Sequence, residues 1–135
     1  MKRIILSSVL FFLTVCAFAQ TVEEKATFLT NQMNVLLSLS NEQKAQVNET
    51  NLFRFEIEAS EKYTEVNLMR QLDLQAPIFQ TEKAQAKITQ LTTLVTKVEN
   101  RYDNRLSTTL TADQYALFLQ NKQALLASVV SEFGK

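Results

Sequence analysis

From Met1 to Lys135 the chain has one glycine, Gly134, and one proline, Pro77. Tight hairpins, barrel corners and phosphate-cradling loops use glycine to reach positive φ. A chain so poor in both residues has few ways to turn except at capped helix ends. An all-α fold of long helices is therefore expected, with its turns at the places where polar caps interrupt the apolar periodicity.

The first nineteen residues have a different logic. Lys2 and Arg3 precede an uncharged run from Ile4 to Ala19, and Ala17-Phe18-Ala19 places small residues where a signal peptidase reads them. The run is 16 residues, short of the roughly 20 that span a bilayer. Thr21-Val22-Glu23-Glu24 follows it in place of a basic stop-transfer flank. The expectation is a secretory signal peptide over residues 1–19, cleaved before Gln20, with the exported protein in the periplasm and not inserted in the membrane. Cys16 also raises the lipoprotein pattern, but Val15 stands before it where that pattern wants a small residue, so the peptidase site is preferred.

Residues 20–135 then form a single domain of 116 residues with 12 basic and 14 acidic side chains and no cysteine. No disulfide is expected, and apolar packing must hold the domain together. A near-neutral charge offers no footprint for nucleic acid. Histidine is absent from the chain, which removes imidazole bases and His-zinc sites. No enzyme activity, metal or cofactor is expected.

Two segments repeat. Leu39-Ser40-Asn41-Glu42-Gln43 and Leu110-Thr111-Ala112-Asp113-Gln114 each place an apolar residue before a hydroxyl N-cap, an acid at the second helical position and a glutamine at the third. In such a capping box the hydroxyl accepts the N3 backbone N–H and the glutamine reaches back to the cap, while the acid suits the positive end of the macrodipole. Ala45 and Val47 correspond to Ala116 and Phe118. Tyr115 is placed to staple onto Leu110, whereas Lys44 stands at the equivalent position of the first copy.

Thr21 and Glu24 form a similar box, so helix 1 is expected from there. Val22, Ala26, Leu29, Met33 and Leu36 lie on one face, widened by Leu37 and Leu39. Helix 2 is expected from Asn41 to about Leu72, and Pro77 then makes Asp73 to Gln80 a loop. Helix 3 starts near Thr81 with a seam of Ala84, Ile88, Leu91, Val95, Val98 and Tyr102, which Arg105 breaks. Helix 4 follows Thr111 and frays at Gly134. Four helices result, two of them long, in an elongated antiparallel arrangement. At about 1.5 Å per residue helix 2 would reach about 48 Å, too long for a compact domain of this size.

Two such boxes, in a small exported chain with long intervening helices, resemble the Spy/CpxP family of periplasmic chaperones, whose signature is LTxxQ. The specific part of the likeness is Leu39, Ser40 and Gln43 with Leu110, Thr111 and Gln114. It implies a cradle-like dimer that binds unfolded or misfolded envelope proteins without ATP, in a stress-response setting. It also implies a second possibility, an adaptor for a sensor kinase domain; a structural helical protein of the envelope is the third. The boxes read as caps and not as an active site.

One stripe of helix 2, Leu52, Phe55, Ala59, Tyr63, Val66 and Met69, is expected to face the core. Phe53, Ile57, Leu68 and Leu72 lie on the opposite side by helical arithmetic and are the candidate client-binding residues. Glu58, Glu61 and Glu65 form a row that ion pairs from Arg54 and Lys62 would explain better than a metal.

Overall fold

The computed structural model describes residues 21–134. The signal peptide expected over residues 1–19 and its cleavage site before Gln20 lie outside them. Among the described residues there are five α-helices: α1 over residues 21–37, α2 Asn41–Glu58, α3 Thr64–Met69, α4 Glu82–Thr109 and α5 Ala112–Phe133, with 3₁₀ turns at Glu61–Tyr63 and Pro77–Phe79. No strand occurs among the described residues, and none of their helices is long and apolar enough to cross a membrane.

The helix starts fall where the caps put them. Thr81 accepts from Ala84 N and begins α4, and Thr111 begins α5. Gly134, at φ 76°, closes α5, a conformation glycine takes without steric cost. At the other end of the chain the expectation needs correcting: residue 21 is already helical, so Thr21 is not the cap of α1.

A larger correction concerns helix 2, which is not one rod to Leu72. It stops at Glu58, and Ser60 takes an extended backbone, φ −75° and ψ 159°. The carbonyls released by the break find local donors. Ser60 Oγ and Ser60 N both donate to Ile57 O, at 2.6 and 3.0 Å, and Asn67 Nδ2 donates to Glu58 O at 3.1 Å. A serine hydroxyl competes in this way with the helical ladder. Among the described residues the expected four helices thus become five, and α4, at about 42 Å, is the longest of them.

The helices enclose two apolar clusters. The main core takes Leu29 and Met33 from α1, Val47 and Phe55 from α2, Tyr102 and Leu106 from α4, and Phe118, Leu125 and Val129 from α5. The expected α1 stripe is all there, Val22 and Ala26 included. A smaller core joins Tyr63 and Val66 to Val98, with Ile57, Leu91, Leu94 and Val95 around it. The C-terminal half of α4 therefore belongs to a four-helix body, while its N-terminal half carries only α3 and the following turn. Ala84 and Ile88, expected in the seam, are only half-buried. They lie beyond both cores.

Candidate functional site

The two boxes form as expected. Ser40 Oγ accepts from Gln43 N at 3.1 Å, and Ser40 N donates to Gln43 Oε1 at 3.0 Å. Thr111 Oγ1 accepts from Gln114 N at 3.2 Å, and Thr111 N donates to Gln114 Oε1 at 2.9 Å. Leu110 is buried, and Tyr115 packs against the same core.

What the sequence did not reveal is that the two glutamines meet. Gln43 Nε2 donates to Gln114 Oε1 at 2.8 Å, and Gln114 Nε2 to Gln43 Oε1 at 3.2 Å. Each also donates to the last carbonyls of the helix that enters the other turn: Gln43 to Thr109 O at 3.3 Å and Gln114 to Leu37 O at 3.1 Å. One amide thus caps its own helix, bonds its counterpart and satisfies a helix C-terminus across the body. The α1–α2 and α4–α5 turns are locked back to back.

The first turn holds one residue more, Ser38, whose φ is 52°. Asn34 accommodates it, its backbone oxygen accepting from Ser38 N at 2.9 Å and its Oδ1 from Leu39 N at 3.1 Å.

A second polar system runs through the body. Tyr102 Oη donates to Asn51 Oδ1 at 2.6 Å, Asn51 Nδ2 donates to Thr30 Oγ1 at 3.0 Å, and Thr30 Oγ1 donates to Ala26 O at 2.7 Å. This ties α4, α2 and α1 together through fully or nearly fully buried groups. Asn51 stands in the seam between Val47 and Phe55, and a polar residue at that position is the signal that could have disclosed the chain.

Beside it Arg54, also buried, grips Glu99 with two nitrogens at 3.1 and 2.6 Å, its guanidinium 4.7 Å from the Tyr102 ring centre. Arg54 Nε lies 3.5 Å from Glu58 Oε1, an ion-pair contact without hydrogen-bond alignment. Lys122 of α5 closes the group, 2.8 Å from both Glu99 and Asp103.

Burial pushes the Glu99 carboxyl up, but the hydrogen bonds from Arg54 and Lys122 outweigh it and hold the group at about 2. Burial alone would lower Arg54; its bond to Glu99 together with the nearby charges of Glu58 and Glu99 outweighs this and leaves it above its ordinary value. Burial raises the Tyr102 phenol. With Glu99 held ionised and Arg54 charged at neutral pH, their pairing with each other and with Lys122 braces the body.

The carboxylates expected as one row, Glu58, Glu61 and Glu65, fall on α2, the 3₁₀ turn and α3, and two of them pair with different partners. Glu58 meets Arg54, and Glu65 pairs with Lys87 of α4 at 2.7 Å. The expected partner Lys62 is not part of it.

The candidate client-binding residues do not form one free stripe. Phe53 is half-buried, with the guanidinium of Arg105 4.3 Å and that of Arg101 5.9 Å from its ring centre. Ile57 packs into the smaller core. Only Leu68 and Leu72 stand out, 57% and 50% exposed. The reason is the break at Ser60, which ends the helical phase relating the first pair to the second. Of the expected core stripe, Phe55, Tyr63 and Val66 are buried, Leu52 and Met69 are half-buried, and Ala59 is exposed.

Ile78, in the segment where Pro77 predicts a loop, is 74% exposed in the turn that joins α3 to α4. Leu68, Leu72 and Ile78 thus cluster by chain position at the far end of the arm formed by α3, this turn and the start of α4.

No curated protein and no solved structure matches the chain. One family model does, over residues 17–118, and it takes in both capping boxes, the α3 arm and all of α4. With three quarters of its length covered, the chain belongs to that family, which is described as a domain of unknown function, DUF4890.

Proposed function

We propose that the protein is an ATP-independent chaperone of the periplasm. It is exported by its cleavable signal peptide, acts as a cradle-like homodimer, and binds unfolded envelope proteins before they aggregate. The resemblance to the Spy/CpxP family, carried by the two boxes, supports this reading.

The observation that carries it is the apolar end of the arm. Leu68, Leu72 and Ile78 are all at least half exposed there, with half-buried Met69 and Leu74 between them in the chain and half-buried Phe79 next to Ile78. Exposed apolar side chains interspersed with polar ones hold unfolded segments without demanding one geometry. Each such side chain contributes roughly 1.5–3 kcal/mol when fully buried by a client. The body behind the arm is braced by the Gln43–Gln114 lock and the Arg54–Glu99–Lys122 cluster, so the arm projects from a firm base.

The test is suppression of aggregation of several unrelated unfolding proteins by purified residues 20–135, compared with a Leu68→Ser, Ile78→Ser variant. The chaperone reading expects saturable suppression by the natural protein and a loss of about tenfold or more in the variant, given the apolar area removed. Helicity should be unchanged. Selective binding to a single sensor domain with no general suppression would make the protein an adaptor. Full suppression by the variant would move capture away from the arm.

A further inference from the structure

We infer that the homodimer forms through the α2–α4 face, about a two-fold axis that runs along the groove between these helices and parallel to them. This rests on the dimeric reading above and names its surface.

The groove is flanked by two ridges of opposite charge. On α4, Lys97, Arg101 and Arg105 follow one another at four-residue spacing, all exposed, about 6 Å apart along the helix. None has a carboxylate within ion-pair distance among the described residues; the two acids of this stretch, Glu99 and Asp103, point to Arg54 and Lys122. On α2, Glu49 and Glu56 are exposed and lie within about 60° of Phe53 around the helix. Neither has an ion pair among the described residues. Phe53 lies between the ridges, its ring against Arg105 and Arg101.

The register of the two helices follows from their contacts. Asn51 meets Tyr102 and Arg54 meets Glu99, so α2 and α4 are antiparallel. Glu56 then lies level with Lys97, and Glu49 level with Asn104 and Arg105.

This decides the occupant. An acidic peptide drawn to the α4 ridge would be repelled by the α2 ridge beside it, and a basic one by the α4 ridge. A second copy satisfies both. Rotation about an axis parallel to the helices exchanges left for right and keeps height unchanged. The basic ridge of one copy falls on the acidic ridge of the other without any sliding: Lys97 opposite Glu56 and Arg105 opposite Glu49, with the two Phe53 rings at the centre. A two-fold axis across the helices would set like charges together, and like-charge juxtaposition disfavours that alternative. The same operation leaves both arms pointing one way, so Leu68, Leu72 and Ile78 of the two copies flank a shared opening.

Sedimentation of the exported protein tests the assignment. The natural protein should dimerise, with a dissociation constant that rises at least about tenfold between about 50 and about 500 mM salt. Two charge-reversed variants, Lys97→Glu with Arg105→Glu and Glu49→Lys with Glu56→Lys, should each be monomeric and fully helical. Mixed together they should form a heterodimer, because both halves of the interface are then attractive again. Should a reversed variant lose helicity, Lys97→Gln with Arg105→Gln replaces it, and the expected result is weakened, salt-insensitive association.

A natural protein that is monomeric at low salt overturns the dimer itself, and with it this surface. Reversed variants that stay dimeric, or that do not associate when mixed, overturn the surface and leave the dimeric reading to be placed elsewhere.

Discussion

Gln43 and Gln114 do more than a capping residue ordinarily does. A cap such as Ser40 or Thr111 satisfies one N–H, and its loss to alanine is expected to cost about 1 kcal/mol. Each glutamine also satisfies its counterpart and a carbonyl across the body. Gln114→Ala should therefore cost about 2–3 kcal/mol, since it leaves polar partners unpaired. A double-mutant cycle with Gln43→Ala should show a coupling of at least about 0.5 kcal/mol. Urea unfolding measures all four corners. An additive cycle would mean that the two turns fold independently; loss of client binding with unchanged unfolding would make the box a binding element.

Glu99 supports a second expectation at this scale. Its folded value of about 2 lies below the ordinary 4.5. A depressed carboxylate contributes stability that is fully present above the unfolded value and is lost as pH falls toward the folded one. Stability should thus decline between about pH 4.5 and 2, and Glu99→Gln should flatten that part of the profile while lowering stability at neutral pH. Unfolding midpoints measured across the acid range check this.

Among the elements, α3 is the one whose existence the periodicity hid. Val66 and Tyr63 keep the same apolar phase as Phe55, which suggests an unbroken helix, yet Ser60 and Asn67 supply side-chain partners for the carbonyls at a break. Among the described residues this element is fastened to α4 by the small core of Tyr63, Val66 and Val98, with Leu91, Leu94 and Val95 around it, and by the exposed Glu65–Lys87 pair. Local unfolding follows the number of buried apolar contacts. Val66→Ala should raise amide exchange across residues 61–69 by about tenfold or more while leaving α1 and α5 unchanged. Faster exchange throughout the body would show that the two cores unfold as one unit.

At the scale of the whole molecule, α4 is the common member, set into the body at one end and into the arm at the other. If two copies join along α2 and α4 and the arms hold unfolded chains as proposed, one chain can engage two arms at once, and the second contact is made at the high effective concentration of a tethered site. The charge-reversed monomer should then bind a short apolar peptide as well as the natural protein does, but hold a long unfolded client about tenfold or more weakly. Fluorescence anisotropy with short and long labelled clients separates the cases; equal loss for both would mean that the arm itself had been damaged.

Local chemistry was enough to write much of this structure in advance. The scarcity of glycine and proline, the two capping boxes, the α1 stripe and the Pro77 turn act over a few residues, through backbone geometry and side-chain reach, and such terms depend on neighbours along the chain. So the all-α class, the starts of α2, α4 and α5, and the burial of Leu29, Met33, Tyr102 and Phe118 were legible. The meeting of Gln43 with Gln114, the chain from Thr30 to Tyr102, the covering of Phe53 by Arg101 and Arg105, and the separation of Ile57 from Leu68 depend on how helices distant in sequence are set against one another. No pattern within a single helix carries that information. It arises when α4 packs against α2 and α5, because only then do donors and acceptors up to 77 residues apart come within hydrogen-bonding distance.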